Sequence, residues 1–208
     1  MMCVSRCLYC VGLALIPLAI ISILSNVLLL LPELTVHFLL EGHVTREATW
    51  ATGLWGSGVL VLVVARSFIT SSRTRGCCTF RRQMFCQVLY SGVCLGVSGL
   101  SGLVSLTGLV RGPRCLYNSS SGPTWGVPLK PRMDGTGVYL HNRSLWSQVC
   151  LRPSGVVLWN LVLFSLMAGC CALQLILCGL NVLNTLTGLL LGPGAARREQ
   201  EAARSSKK

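Results

Sequence analysis

Twelve cysteines and three histidines are the side chains of this chain best suited to metal binding, nucleophilic attack or redox chemistry. His37, His43 and His141 all fall in polar connecting segments. His37, Glu41 and His43 are close enough in sequence to share a metal, but histidines of an exposed loop are usually just solvated. Cys7-Leu8-Tyr9-Cys10 has a metal-type spacing. Zinc needs a second matched pair of ligands, and none follows. No serine or cysteine pairs with a convincing base. The glycines fall within apolar runs, which is no place for a loop that cradles phosphate. The residues therefore predict no catalytic centre, no cofactor and no metal site.

The elements that must position these side chains are set by hydropathy. The chain has 208 residues, 52% hydrophobic and only 12% charged. A soluble domain is about 25% charged, so this composition cannot cover a water-facing surface. The apolar residues are also gathered into long runs. A bilayer core takes about 20 apolar residues in a helix. Four uncharged runs qualify: from Leu8 to Leu31, from Trp50 to Ala65 with Arg66 snorkelling at its end, from Cys86 to Val110, and from Val156 onward. The first is too long for a signal-peptide core and leads straight into Leu31-Pro32, so it is read as an uncleaved helix. The formal charge of +12 could suit a nucleic-acid binder. Here the basic residues sit between the apolar runs, which is how a membrane protein holds its topology, and no nucleic-acid partner is expected.

Sidedness follows from the same residues. Arg73, Arg75, Arg81 and Arg82 lie between the second and third runs, and Arg197, Arg198, Arg204, Lys207 and Lys208 follow the fourth. The first loop holds Arg46 against Glu33, Glu41 and Glu47. The positive-inside rule puts the second loop and both termini in the cytosol. Asn118-Ser119-Ser120 and Asn142-Arg143-Ser144 are glycosylation triplets, and both fall in the loop predicted outside. That loop carries two cysteines, Cys115 and Cys150, which are natural disulfide partners on the oxidising side. It is too small for a good core of its own and should form a tethered cap, with Trp125, Tyr139 and Trp146 supplying apolar contacts.

Within the bundle, small residues let helices approach closely. Gly92 and Gly96 have the small-xxx-small spacing on the third helix, and Gly53, Gly56, Ser57 and Gly58 cluster on the second. Both sets are expected at interfaces between the protein's own helices, with a homo-oligomer contact as the alternative. Asn26, Asn160 and Gln174 are expected to face inward and bond across helices. No acid or histidine lies in a span, which argues against a transporter or proton pump. Cys3, Cys7, Cys77, Cys78 and Cys86, at the predicted cytosolic edge, are candidates for palmitoylation. Cys94, Cys170, Cys171 and Cys178 read as small apolar packing residues.

Several segments carry a family resemblance: IPLAIISILSNVLLLLP (Ile16–Pro32), GLWGSGVLVL (Gly53–Leu62), RGPRCLYN (Arg111–Asn118), VYLHNRSLWSQVC (Val138–Cys150), VVLWNLVLFSL (Val156–Leu166) and ILCGLNVLN (Ile176–Asn184). In order and spacing the chain resembles the L-six antigen family of four-pass membrane proteins, tetraspanin-like in topology. The resemblance implies a plasma-membrane organiser without catalysis that associates with integrins, tetraspanins and receptors and influences adhesion, migration and growth. It also supports the Cys115–Cys150 bridge, a sugar at Asn142 and acylation of cytosolic cysteines. There are departures. Gln174 stands where relatives would be expected to carry an acid, only Cys77 and Cys78 are adjacent in the cytosolic loop, and the tail from Pro193 has no cysteine-rich ending. True tetraspanins carry a Cys-Cys-Gly motif and more loop cysteines. Trp50 and Gly53-Leu54-Trp55 mimic the start of a claudin pattern, but no outside cysteine pair follows them.

The expected fold is all-α: a four-helix transmembrane bundle with a small disulfide-closed extracellular loop. Its segments are a cytosolic terminus at 1–7, helices at 8–31, 50–69, 86–110 and 156–180, extracellular loops at 32–49 and 111–155, and a cytosolic loop at 70–85. The tail at 181–208 is cytosolic, its first part helical or interfacial. A small transporter or channel subunit, or a claudin-like adhesion protein, is the alternative function.

Overall fold

A computed structural model describes residues 2–73, 79–119, 122–129, 146 and 149–205, with side chains over 6–72, 85–119, 122–129, 146 and 149–187. Among the described residues, four helices are long and apolar enough to cross a membrane: Arg6–Leu30, Thr52–Ser72, Phe85–Arg111 and Val156–Thr187. Lipid offers no partner to a backbone N–H or C=O, so these runs must satisfy their backbone within the helix. They belong to longer elements. Helix α1 is Met2–Leu30 and contains Pro17. Two short helices follow, α2 (His37–Leu40) and α3 (Arg46–Thr49). The second span is α4 (Thr52–Leu54), a π-helical turn over Trp55–Leu60, and α5 (Val61–Arg73). The third is α6 (Thr79–Arg111) and the fourth is α7 (Val156–Ser205). The fourth helix thus runs on unbroken past Leu180, the extended form of the two considered for that segment.

The loop between α6 and α7 adds something composition did not suggest. Strand β1 (Cys115–Ser119) pairs antiparallel with β2 (Gly122–Gly126), placing Leu116 opposite Trp125 and Asn118 opposite Pro123. A further bridge joins Leu116 to Arg152, so β1 is held on both edges. The bundle is helical and its cap carries a hairpin.

The helices pack as α6 on α7 and as α1 on both α5 and α7. One apolar cluster, with Leu15, Val61, Phe68, Cys94 and Cys178, fills the half of the bundle away from the hairpin. A second, with Leu29, Ala48, Phe164 and Met167, fills the half beneath it. Leu13, Ile20, Leu24, Val93, Leu103 and Ile176 point outward, as lipid-facing residues should.

Glycines separate the inner face from the outer. A Cβ at Gly53 would lie 2.8 Å from the Met167 methyl and 2.9 Å from the Cβ of Asn26. A Cβ at Gly58 would collide with Ile23 and sit 2.7 Å from the Gly53 carbonyl. These two glycines bring the second span against α1 and α7, as expected. Gly92 and Gly96 do not behave as expected: a Cβ at either would have no atom within 4 Å. The inward face of α6 is set by Ser91, Cys94, Ser98, Ser101 and Ser105, all buried and spaced three or four apart. Gly92 and Gly96 lie off that stripe and face out of the bundle. Gly58→Val should therefore destabilise by about 1–3 kcal/mol through overpacking. Gly92→Ala and Gly96→Ala should be neutral or up to about 1 kcal/mol more stable, since alanine favours helix over glycine. Unfolding of the three variants in mild detergent checks this, and equal losses in all three would refute the assignment of faces.

Candidate functional site

The polar residues inside the spans form a layer centred on Gln174, whose side chain is fully buried. Its amide Nε2 donates to the Ser57 carbonyl at 2.9 Å, and its Oε1 accepts from the Ser98 hydroxyl at 2.8 Å. One side chain thereby ties α7 to the second span and to α6. An amide suits this role because it donates and accepts at once, which a carboxylate cannot. Two further bonds extend the layer. The Ser101 hydroxyl donates to the Thr52 carbonyl at 2.9 Å, and Asn181 Nδ2 donates to the Ser91 hydroxyl at 2.8 Å.

Asn26 and Asn160 face inward, yet neither bonds across helices as expected. Asn160 Nδ2 donates to the Val156 carbonyl one turn back on its own helix, at 3.1 Å. Such local capture competes with longer-range pairing. Both amide atoms of Asn26 are buried and unpartnered. Gly53, which packs against the Cβ of Asn26, has no side chain to offer it. Asn181, in the stretch expected to be helical or interfacial, makes a cross-helix bond to Ser91.

The cysteines divide into three groups. Cys115 and Cys150 form the expected disulfide, with Cα atoms 5.6 Å apart. Cys94 and Cys178, read from the sequence as packing residues, are bonded to each other across α6 and α7. Each sits within an uncharged run, and nothing local marks two residues so far apart in sequence as neighbours. Cys170 and Cys171 are buried free thiols, as packing residues should be, while Cys7 and Cys86 are half-buried and Cys10 is exposed. The side chain of Cys3 and residues Cys77, Cys78, Tyr139, His141 and Asn142 lie outside the described residues.

The two loops expected to share a side do meet at one end of the bundle. Glu47, nearly buried on α3, takes the Arg111 guanidinium at 2.8 Å. Glu33 Oε1 accepts from the Ser154 N–H at 2.8 Å and from its hydroxyl at 3.1 Å. The His43 ring stacks on Trp125 of β2, with centroids 3.8 Å apart and planes 7° from parallel. Behind the hairpin, Cys115, Leu129, Val156 and Val157 form a small core with Trp146 against it. Asn118 is exposed on β1. His37 and His43 both approach Glu41, at 3.1 and 3.2 Å, one on each carboxylate oxygen. Among the described residues no group of three or more metal-ligating side chains is arranged to hold an ion.

The sequence that builds this arrangement has relatives among known proteins. The family model described as L6 membrane protein matches residues 2–195. The chain belongs to the L6 membrane protein family. It is 35% identical over 196 residues to the Bos taurus protein named Transmembrane 4 L6 family member 5, covering 92% of this chain and 95% of that relative. It is 34% identical over 198 residues to the Homo sapiens family member 4, covering 92% and 93%. It is 36% identical over 193 residues to the Homo sapiens family member 19, covering 88% and 90%. No solved structure matches the chain. Membership in the L6 family makes this a multi-pass membrane protein of the tetraspanin-like kind, with lipid as the solvent of its spans. The L6 match runs through the hairpin loop and through Gln174, so the buried layer and the cap both lie within the shared region.

Proposed function

We propose that this chain is a non-enzymatic organiser of the plasma membrane, with both termini cytosolic, that associates laterally with integrins, tetraspanins or receptors and influences adhesion, migration or growth. The observation that carries this reading is the Gln174 layer. It closes the inside of the bundle with bonds between the protein's own helices. What is left for function is the outer face and the cap. Gly92 and Gly96 leave a flat strip on that outer face, of the kind to which another transmembrane helix can come close. A second copy of the chain could use the same strip. The exposure of Asn118 supports a sugar there, alongside the triplet at Asn142. Acylation would fall on Cys7 and Cys86, with Cys3, Cys77 and Cys78.

Cross-linked pull-down of the full chain from mild detergent should recover integrins or tetraspanins. The double variant Gly92→Leu/Gly96→Leu should recover several-fold less, because bulky side chains hold a neighbouring helix away. Good yield of bait with neither class of partner would sink the proposal. Glycosidase shift and hydroxylamine-sensitive labelling of the same sample report the sugars and the lipids.

A small transporter or channel subunit is the second reading. The buried, unpartnered polar atoms of Ser22, Asn26 and Thr52 favour it. Flux into proteoliposomes above that of empty vesicles would support it, and its absence would leave the organiser.

A further inference from the structure

At the hairpin end of the bundle, α3, the last turn of α6 and the end of β2 enclose a cleft of about 410 Å³. That lies within the roughly 300–1,000 Å³ typical of ligand pockets. Arg46, Arg111 and Arg114 line it, against a single acid, Glu47. Glu47 is taken by Arg111. Arg114 spends one nitrogen on the Gly42 carbonyl, at 3.2 Å. The Arg46 guanidinium has no partner among the described residues. Thr45 also lines the cleft, and its hydroxyl is buried without a hydrogen-bond partner. Thr45 precedes α3 but makes no capping bond to it. Buried polar atoms nearly always have a partner. Thr45, with its orphan hydroxyl, lines the same cleft as three arginines, an arrangement an oxyanion would complete.

We propose that this cleft binds a phosphate-type oxyanion, held by the Arg46 and Arg114 guanidiniums and by the Thr45 hydroxyl. Guanidinium presents paired N–H donors that match the oxygens of phosphate, and no described residue takes those of Arg46. The hydroxyl donates to a third oxygen. Arg111 adds charge while staying paired to Glu47, so the described lining of the cleft carries net positive charge. The phosphate can arrive on a lipid headgroup or on a soluble molecule. Arg111 ends the third span, and exposed Trp50 and Trp55 begin the second at the same end. Tryptophans favour the bilayer interface, so the cleft lies within reach of headgroups.

The test uses the full chain in phosphatidylcholine nanodiscs. One arm titrates inorganic phosphate and reads tryptophan fluorescence. The other dopes the bilayer with phosphatidic acid and counts retained lipid by native mass spectrometry. At least one probe should bind saturably. Arg46→Gln should weaken that binding about tenfold, the effect of losing one charge-assisted bond. Thr45→Val, which removes only the hydroxyl, should weaken it less. Arg152→Gln makes the same charge change at an exposed arginine away from the cleft and should leave it intact. Retention of phosphatidic acid without phosphate binding assigns the headgroup as the ligand, and the reverse assigns a soluble phosphate. The proposal is overturned if neither probe saturates, if Arg46→Gln and Thr45→Val both bind like the parent, or if Arg152→Gln loses as much as Arg46→Gln. Thermal unfolding of each variant, matched to the parent, separates lost binding from lost fold.

Discussion

Replacing Gln174 with leucine is expected to lower the stability of the bundle by about 1–3 kcal/mol, the cost of leaving buried polar groups unpartnered. The substitution removes two bonds at once, one to the Ser57 carbonyl and one from the Ser98 hydroxyl. Leucine is apolar and of similar size, so the volume is kept and the loss is chiefly of hydrogen bonds. Ser98 could turn its hydroxyl to a carbonyl of its own helix, which sets the lower end of the range. Bonds between membrane helices measured by double-mutant cycles average about 0.6 kcal/mol with a maximum near 1.7. A cycle of Ser98→Ala with Gln174→Leu should give a coupling in that interval. Equilibrium unfolding in mixed detergent micelles measures both. If Gln174→Leu unfolds like the parent and the coupling is zero, the layer does not hold the spans together, and the closed-interior reading of function loses its support.

Opening the Cys115–Cys150 bridge should have the largest local effect. Cys115 begins β1 and is fully buried, and Cys150 lies next to the residues that pair with Leu116. The bond closes a loop with a sequence separation of 35. The chain-entropy model gives a loop of this length about 4 kcal/mol. The cap has little core to offset that loss: Cys115, Leu129, Val156 and Val157, with Trp146 packed against them. Cys115→Ser should therefore release the hairpin while the spans, buried in lipid and packed on each other, remain folded. Amide exchange should speed up across β1 and β2 by orders of magnitude and stay slow in α6 and α7. The His43–Trp125 stack should be lost with it, which tryptophan fluorescence reads. Unchanged exchange in the hairpin would mean that the contacts at Glu33, Glu47 and His43 suffice to hold the cap.

The hydropathy of the chain determined its four spans, and two cysteines in one loop determined the pairing of Cys115 with Cys150. Each depends on a local quantity: the length of an uncharged run, or the presence of two cysteines in one loop. Local quantities survive folding because a bilayer enforces them residue by residue. The inward placement of Gln174 was legible for the same reason, since a polar amide in an apolar run must turn away from lipid. Its partners were not. Tertiary structure chose Ser57 and Ser98 for Gln174, gave Asn181 the partner Ser91, and left Asn26 without one. It turned Gly92 and Gly96 outward and joined Cys94 to Cys178. These outcomes depend on the rotation of each helix about its axis, and a shift of one residue turns a side chain by about 100°. No single helix carries that angle; it is set when the faces of all four helices pack together.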